Sequence, residues 1–430
     1  MNIINKLKNI SLYPLAFLIV SVRSLMAQLQ ALGKKPVVHF EQGYQGQKIL
    51  LLALYEKGCL RPDIENLLTV AKQLGMYVFA INTLKVLEPD NLKDKIDCYI
   101  ERPNYGRDFG SYRTGFLHIY ENGWEKQCER LLMLNDSLFY STRNLAAFLQ
   151  KMTDTDIEVV GATENYEIEH HLGSFCISIH RNVLQKTTFK KYWKSYVNTN
   201  VRPKVIKHGE FKLSATLRRC VTSPYQLTAL FNIAWLANYL QENKDIIQRI
   251  SDFYPVSKFY HTSDFVDWKR PSLKSAAKRL INKCLYIDPS LTNTETNTEA
   301  GIEVNTKVKS VYFLDGAEGL TKAFETSVKH SNLVSLQERV LQEIKNDLME
   351  CFMVGSQIHH NGILLHYLGM PLIKLDILYR GVFSVEDVEK IANQLSAREA
   401  NDFRRLIFTK PFGLDTLVGW KRAAFYRGLI

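Results

Sequence analysis

The chain has 430 residues, 46% of them hydrophobic, 11% aromatic and 23% charged. This globular mixture excludes a disordered, collagen-like or multi-span membrane protein, and the length suggests two or three domains, one with a full α/β core. The net charge of +11 asks for an anionic partner.

The excess is local. Residues 1–35 carry Lys6, Lys8, Arg23, Lys34 and Lys35 with no acid, 254–284 hold seven basic residues against Asp264 and Asp267, and 397–430 hold seven against three. The body is slightly acidic, whereas a nucleic-acid enzyme lines its main groove with Lys and Arg, so no nucleic-acid partner is expected. Seven scattered cysteines form no C-x-x-C pair, which argues against zinc ribbons and a disulfide framework and for a reducing cytoplasm.

In chain order, residues 12–22 read LYPLAFLIVSV between Lys8 and Arg23. Eleven residues are too few to span a bilayer. Two readings stay open for residues 1–36: a basic, apolar segment lying in the membrane interface, or a helix packed on the body. From residue 37 short apolar or β-branched runs alternate with helix-length stretches. The expected strands are Val37–Phe40, Met76–Ile81, Ile96–Ile100, Arg130–Leu134, Ile157–Thr163 and Phe175–Ile179. The rhythm predicts an α/β domain over 37–288, with a mostly parallel sheet covered by helices on both faces. A polar linker follows at 289–307, containing NTETNTE, and then a mainly helical region over 308–430. Ligands of such sheets bind at the carboxyl ends of strands, so the residues after each strand carry the functional argument.

Four pieces stand out. Asn104-Tyr105-Gly106-Arg107-Asp108 opens a helix running to about 121, where a glycine turn and Arg107 can meet an anion. Asn135-Asp136-Ser137 ends an apolar strand; Asp136 there either serves a ligand or caps the next turn. His170-His171 precedes a strand, and adjacent residues of an extended chain point to opposite sides, so at most one of the two faces a site. Glu210 sits in the first turn of an expected helix, either as a favourable dipole partner or as a general base.

Together the stretches NYGRDFGSYRTGF (104–116), LLMLNDSLFY (131–140), GATENYEIEHHLGSFCISIHRNVL (161–184) and HGEFKLSATLRR (208–219), with LGMPLIKLDILYRG (368–381), resemble the rhamnan synthesis F family of polysaccharide glycosyltransferases. The resemblance implies a GT-A-like fold and transfer of a sugar, a deoxyhexose such as rhamnose, from a nucleotide-sugar donor to a lipid-linked cell-surface glycan, with inversion. It implies donor contacts at Asn104, Gly106, Arg107, Asp108, Asn135, Asp136, Ser137 and His171, and Glu210 as the catalytic base. Asn135-Asp136-Ser137 stands where GT-A enzymes place an Asp-x-Asp metal motif, so Asp136 would be the ligand of a divalent cation, Mg or Mn. Asn and Ser are poorer ligands for such ions than carboxylates. The implied place of work is the inner face of the cell membrane, with the basic, apolar ends of the chain held at the lipid surface. The alternative is a degenerate, non-catalytic module that binds glycan or partners in an assembly complex.

Overall fold

The computed structural model describes residues 3–249, 253, 333–410 and 412–430. The basic stretch 254–284 and the linker 289–307 lie outside the described residues. The described residues fall into two compact units: 3–232 with 355–430, and 233–253 with 333–354. All the residues discussed below as a site belong to the first.

Its centre is an eight-stranded sheet. In chain order the strands are β1 (Val37–Glu41), β2 (Ile49–Leu54), β3 (Tyr77–Asn82), β4 (Cys98–Glu101), β5 (Arg130–Asn135), β6 (Leu138–Tyr140), β7 (Val159–Gly161), β8 (Glu164–Asn165), β9 (His171–Leu172), β10 (Cys176–His180), β11 (Leu227–Ala229) and β12 (Leu372–Lys374). The sheet runs β1-β4-β3-β2-β5-β10-β7-β11. β4, β3, β2 and β5 are mutually parallel, as are β7 and β11, while β1 and β10 run antiparallel to their neighbours.

β2 is absent from the strands expected from sequence, yet it is central. Its residues ILLLAL are all buried. A strand covered on both faces shows no alternation, so six successive apolar residues read as either strand or helix. The structure separates the two sets. Ile49, Leu51 and Ala53 join Phe79, Met133, Phe109 and Phe116 in one core, under the helix Arg107–Glu121. Leu50, Leu52 and Leu54 are buried on the other face, the side taken by the helices Pro62–Gln73 and Leu145–Thr153. Gly115 lets the first of these helices sit close, since a Cβ there would lie 2.5 Å from Leu51 and 2.9 Å from Ile81.

The C-terminal region is helical, at Val385–Ala392 and Ala397–Ile407 among others, each of these two opened by a Ser capping box. It also gives β12, which pairs antiparallel with β6 and sets Lys374 opposite Leu138. The N-terminal helix extends over Ile3–Ala31, well beyond the eleven-residue apolar run. By length and composition its part Leu12–Ala31 could cross a membrane.

Candidate functional site

The carboxyl ends of β2, β3, β4 and β5 lie side by side, because these four strands are parallel and in register. The chain leaving β4 turns sharply into the helix Arg107–Glu121. Gly106 takes φ +99°, and a Cβ there would fall 2.8 Å from the Asn198 side chain. Arg107 also takes a positive φ, +54°, a costly conformation for a non-glycine residue that persists where its surroundings enforce it.

The enforcing group is Arg102. Its guanidinium is buried and donates to Ser111 Oγ and Pro103 O, each at 2.9 Å, to Tyr105 O at 2.5 Å, and to Arg107 O. Burial lowers its pKa to about 10. Gly110 makes room for it, since a Cβ would meet the guanidinium at 2.8 Å. The turn's own N–H groups are partly spent. Gly106 N–H donates to Asn200 Oδ1 at 2.8 Å and Phe109 N–H to Asp108 Oδ1 at 3.0 Å. The turn therefore presents side chains, Arg107 and Asp108, more than an open row of backbone donors. Asn104 is exposed at its start.

At the end of β5, Asn135 Nδ2 donates to Asp108 Oδ2 at 3.2 Å, and Asn135 Oδ1 accepts from Ser137 Oγ at 2.5 Å. These bonds join the first two motifs. Asp136 caps no helix, because the chain continues into β6; its carboxylate accepts instead from Tyr55 N–H. Burial raises its pKa to about 6 against the pull of Arg61. Glu56 lies beside it, raised by burial to about 7 although Arg61 Nη1 is 3.4 Å away. Asp108 is also raised by burial, with Arg107 opposing and Glu210 adding to the rise. Three crowded carboxyls at adjacent strand ends are the mark of a functional site more often than of a structural one.

The third and fourth motifs meet the first. Glu210 does not begin a helix. It sits within the wide π-type turn Ile206–Phe211, between the helices Arg202–Val205 and Lys212–Cys220. This disposes of the dipole role, since no N-terminus lies there, and π-turns recur where a side chain is re-aimed for function. Gly209 brings the turn onto Phe109, whose ring would lie 2.9 Å from a Cβ. His171 Nε2 is 3.6 Å from Glu210 Oε2, with side-chain exposures of 3% and 29%. His171 Nδ1 lies 2.8 Å from Glu169 O, so Nδ1 carries the proton and Nε2 faces the carboxylate when the ring is neutral. His170 turns the other way, to Glu164 and Arg218.

The C-terminal segment adds what the sequence did not assign. Lys374 Nζ donates to Ser137 Oγ at 2.7 Å and lies 5.3 Å from the centre of the Phe175 ring. Burial lowers its pKa, opposed by the charges of Asp376, Asp108 and Glu210. No carboxylate is in ion-pair contact with it among the described residues, so its charge is available. Asp376 is half-buried, and Arg380 and then His359 hold its carboxyl well below the usual range. Arg202 is lowered to about 10, by burial first and then by Arg380, and it feels Arg107 and Glu210 as well. Lys374, Arg202 and Arg107 thus bring positive charge to Asp108 and Glu210, while Arg380 is paired with Asp376.

A divalent cation held by the protein alone does not suit these strand ends. Asp136 uses a carboxylate oxygen on Tyr55 N–H, Asn135 uses its amide oxygen on Ser137, and hard cations want six or more oxygens. The three-residue group with ligand atoms in mutual reach among the described residues is Glu41, Cys98 and His118, at the opposite end of the sheet.

Of the residues expected from sequence, Asp108, Asn135, Ser137, His171 and Glu210 come together, with Gly106 and Arg107 shaping the turn. Asp136 lies instead beside the Glu56–Arg61 pair, and Asn104 is exposed. Arg102, Arg61, Glu56 and Lys374 were missed. Lys374 alone had a signal, since it lies in LGMPLIKLDILYRG.

Against known proteins, the chain is 28% identical over 191 residues to the uncharacterized protein y4gN of Sinorhizobium fredii (strain NBRC 101917 / NGR234), covering 42% of this chain and 46% of that protein. It thus spans about half the length of this curated relative. A solved structure, the glycosyltransferase GlyE of Streptococcus pneumoniae TIGR4, overlaps 47% of this chain and 52% of its own at 12% identity, with a TM-score of 0.26. Residues 77–240, which hold every site residue expected from sequence, match the model of the family described as rhamnan synthesis protein F.

Proposed function

We propose that the chain is a polysaccharide glycosyltransferase that moves a sugar, a deoxyhexose such as rhamnose, from a nucleotide-sugar donor to a growing cell-surface glycan with inversion. The observation that carries the reading is the convergence of Asp108, Glu210 and Lys374, from three distant stretches of chain, at one set of strand ends. The family match over 77–240 supports it.

In this reading Glu210, partly exposed and beside His171, takes the proton of an acceptor hydroxyl. The hydroxyl oxygen forms the new bond to the anomeric carbon as the bond from that carbon to the donor diphosphate breaks. The electron pair leaves on the diphosphate, where Lys374, Arg107 and Arg202 stabilise the charge that develops. Asp108, fixed by Asn135, orients the sugar from the opposite wall. A divalent cation at Asp136, if the donor brings one, would add further charge stabilisation. No step above depends on it.

The test is sugar transfer by the purified chain from a panel of nucleotide sugars, with and without Mg²⁺ or Mn²⁺, together with direct donor binding. Transfer by the parent chain, and donor binding without transfer by Glu210→Gln, are the expected results. A folded parent chain that binds no donor would leave the non-catalytic module as the better reading.

A further inference from the structure

The N-terminal helix has two apolar faces, and the body uses only one. Ala16 and Val20 are buried against Val201, Ala424 and Leu429, and Ser24 Oγ accepts from Asn200 N–H at 3.0 Å. On the other side Leu15, Leu18, Val22, Leu25, Met26 and Leu29 are exposed, Leu18 by 59% and Leu29 by 60%. At 100° per residue these six fall within an arc of about 100°, and they extend about 21 Å along the axis. An apolar stripe of this kind on an otherwise polar surface marks an interaction site.

The charges around it are of one sign. Residues 1–40 contain no Asp or Glu, nor do residues 416–430. The helix Gly419–Tyr426 packs beside the N-terminal helix, and Arg23 lies over the Trp420 ring at 4.9 Å. Arg23, Lys34, Lys35, Lys421 and Arg422 are all exposed. The two basic ends of the sequence thus make one surface.

We propose that this surface docks on an anionic lipid bilayer, with the N-terminal helix lying in the plane of the interface. Burial of a leucine stripe among cations is what such binding requires, and each nearby Lys or Arg adds to it on anionic lipid. The inner stripe decides between lying and crossing. A helix fastened at its middle through Ala16, Val20 and Ser24 would have to give up those contacts to span the bilayer, which favours lying over crossing although its composition allows either. The inner side of the same helix is close to the proposed site, because Asn200, bonded to Ser24, accepts from Gly106 N–H. That proximity would suit an acceptor carried in the lipid, a clause that rests on the proposed function; the docking itself does not.

The experiment is flotation of the full chain with vesicles of phosphatidylcholine alone or mixed with phosphatidylglycerol, at low and high salt. Binding to the mixed vesicles that weakens with salt is expected. Lys34→Gln with Lys35→Gln lowers it by about tenfold or more, and Leu18→Ser with Leu25→Ser and Leu29→Ser by at least tenfold. All five side chains are exposed, so both variants keep the parent's melting temperature. Equal binding to both vesicle types, or no binding, overturns the proposal. So does resistance to extraction at alkaline pH, the sign of a spanning helix. A dimer that the leucine variant dissolves overturns it too, by showing that a second copy covers the stripe.

Discussion

The two ends of the central sheet treat charge differently. At the end away from the proposed site Asp97, Glu41 and Arg130 each have a partner. Asp97 accepts from Lys72 Nζ at 2.6 Å and Val78 N–H at 2.8 Å. Glu41 meets His118 at 2.6 Å, and the fully buried Arg130 donates to Thr155 O, Ile157 O and Ser178 Oγ. At the carboxyl end Asp108, Asp136 and Glu56 crowd together with raised pKa values, and Lys374 has no paired carboxylate among the described residues. Full pairing stabilises the fold. Incomplete pairing costs stability and leaves charge to be completed by a ligand.

The largest effect should come from Glu210→Gln, which keeps the side chain's size and removes the base. Transfer is expected to fall about 10²- to 10⁴-fold with donor affinity within a factor of about two, read by steady-state kinetics beside calorimetric binding. A smaller loss would place the base elsewhere on the same strand ends.

Arg102→Ala sharpens the contrast differently, since this charge serves structure at the functional end. It removes the guanidinium's bonds to the carbonyls of Pro103, Tyr105 and Arg107, of which Pro103 O keeps Tyr105 N–H, and frees Arg107 from its positive φ. A loss of about 3–5 kcal/mol in urea unfolding is expected, with donor binding lost alongside. Gly110→Ala should act in the same direction by pushing the guanidinium aside.

Asp136→Asn should do the reverse. Its carboxyl titrates near 6 in the folded chain and near 4 when unfolded, so the folded state keeps the proton longer. Its contribution to stability is therefore full below about pH 4 and lost as pH rises through about 6. The amide cannot ionise and still accepts from Tyr55 N–H. The variant should be more stable than the parent by about 1–3 kcal/mol at pH 8, and the gap should close towards pH 4, as urea midpoints across that range would read. The smallest effect is expected from Gly106→Ala, about 1–2 kcal/mol, from its φ of +99° and the Asn198 contact.

How much of this was legible in the sequence follows from composition and punctuation. Tyr77–Asn82 and Arg130–Asn135 are as buried as Ile49–Leu54, and they were legible because turn residues bound them, Gly75 before the first and Asn135-Asp136 at the end of the second. Ile49–Leu54 reads ILLLAL, with a single β-branched residue, a run that fits a helix as readily as a strand. The site was legible where a motif followed a strand, as at Asp108, Asn135 and Glu210. It was illegible where the third dimension supplied the partner. Nothing near Arg102 in sequence announces that it will wrap the following turn. Lys374 lies 237 residues from Ser137 and reaches it only through the pairing of β12 with β6. The π-type turn that aims Glu210 leaves no compositional mark either, so the expected helix start was misplaced there.

The most direct test of the central claim, that the C-terminal segment completes the donor site, is the affinity of the parent chain and of Lys374→Met for the nucleotide sugar it transfers. The account predicts a loss of about tenfold or more, with an unfolding midpoint close to the parent's, since Lys374 is half-buried and bonds the exposed Ser137. Unchanged affinity in a folded Lys374→Met chain would contradict it and confine the site to the residues before 240.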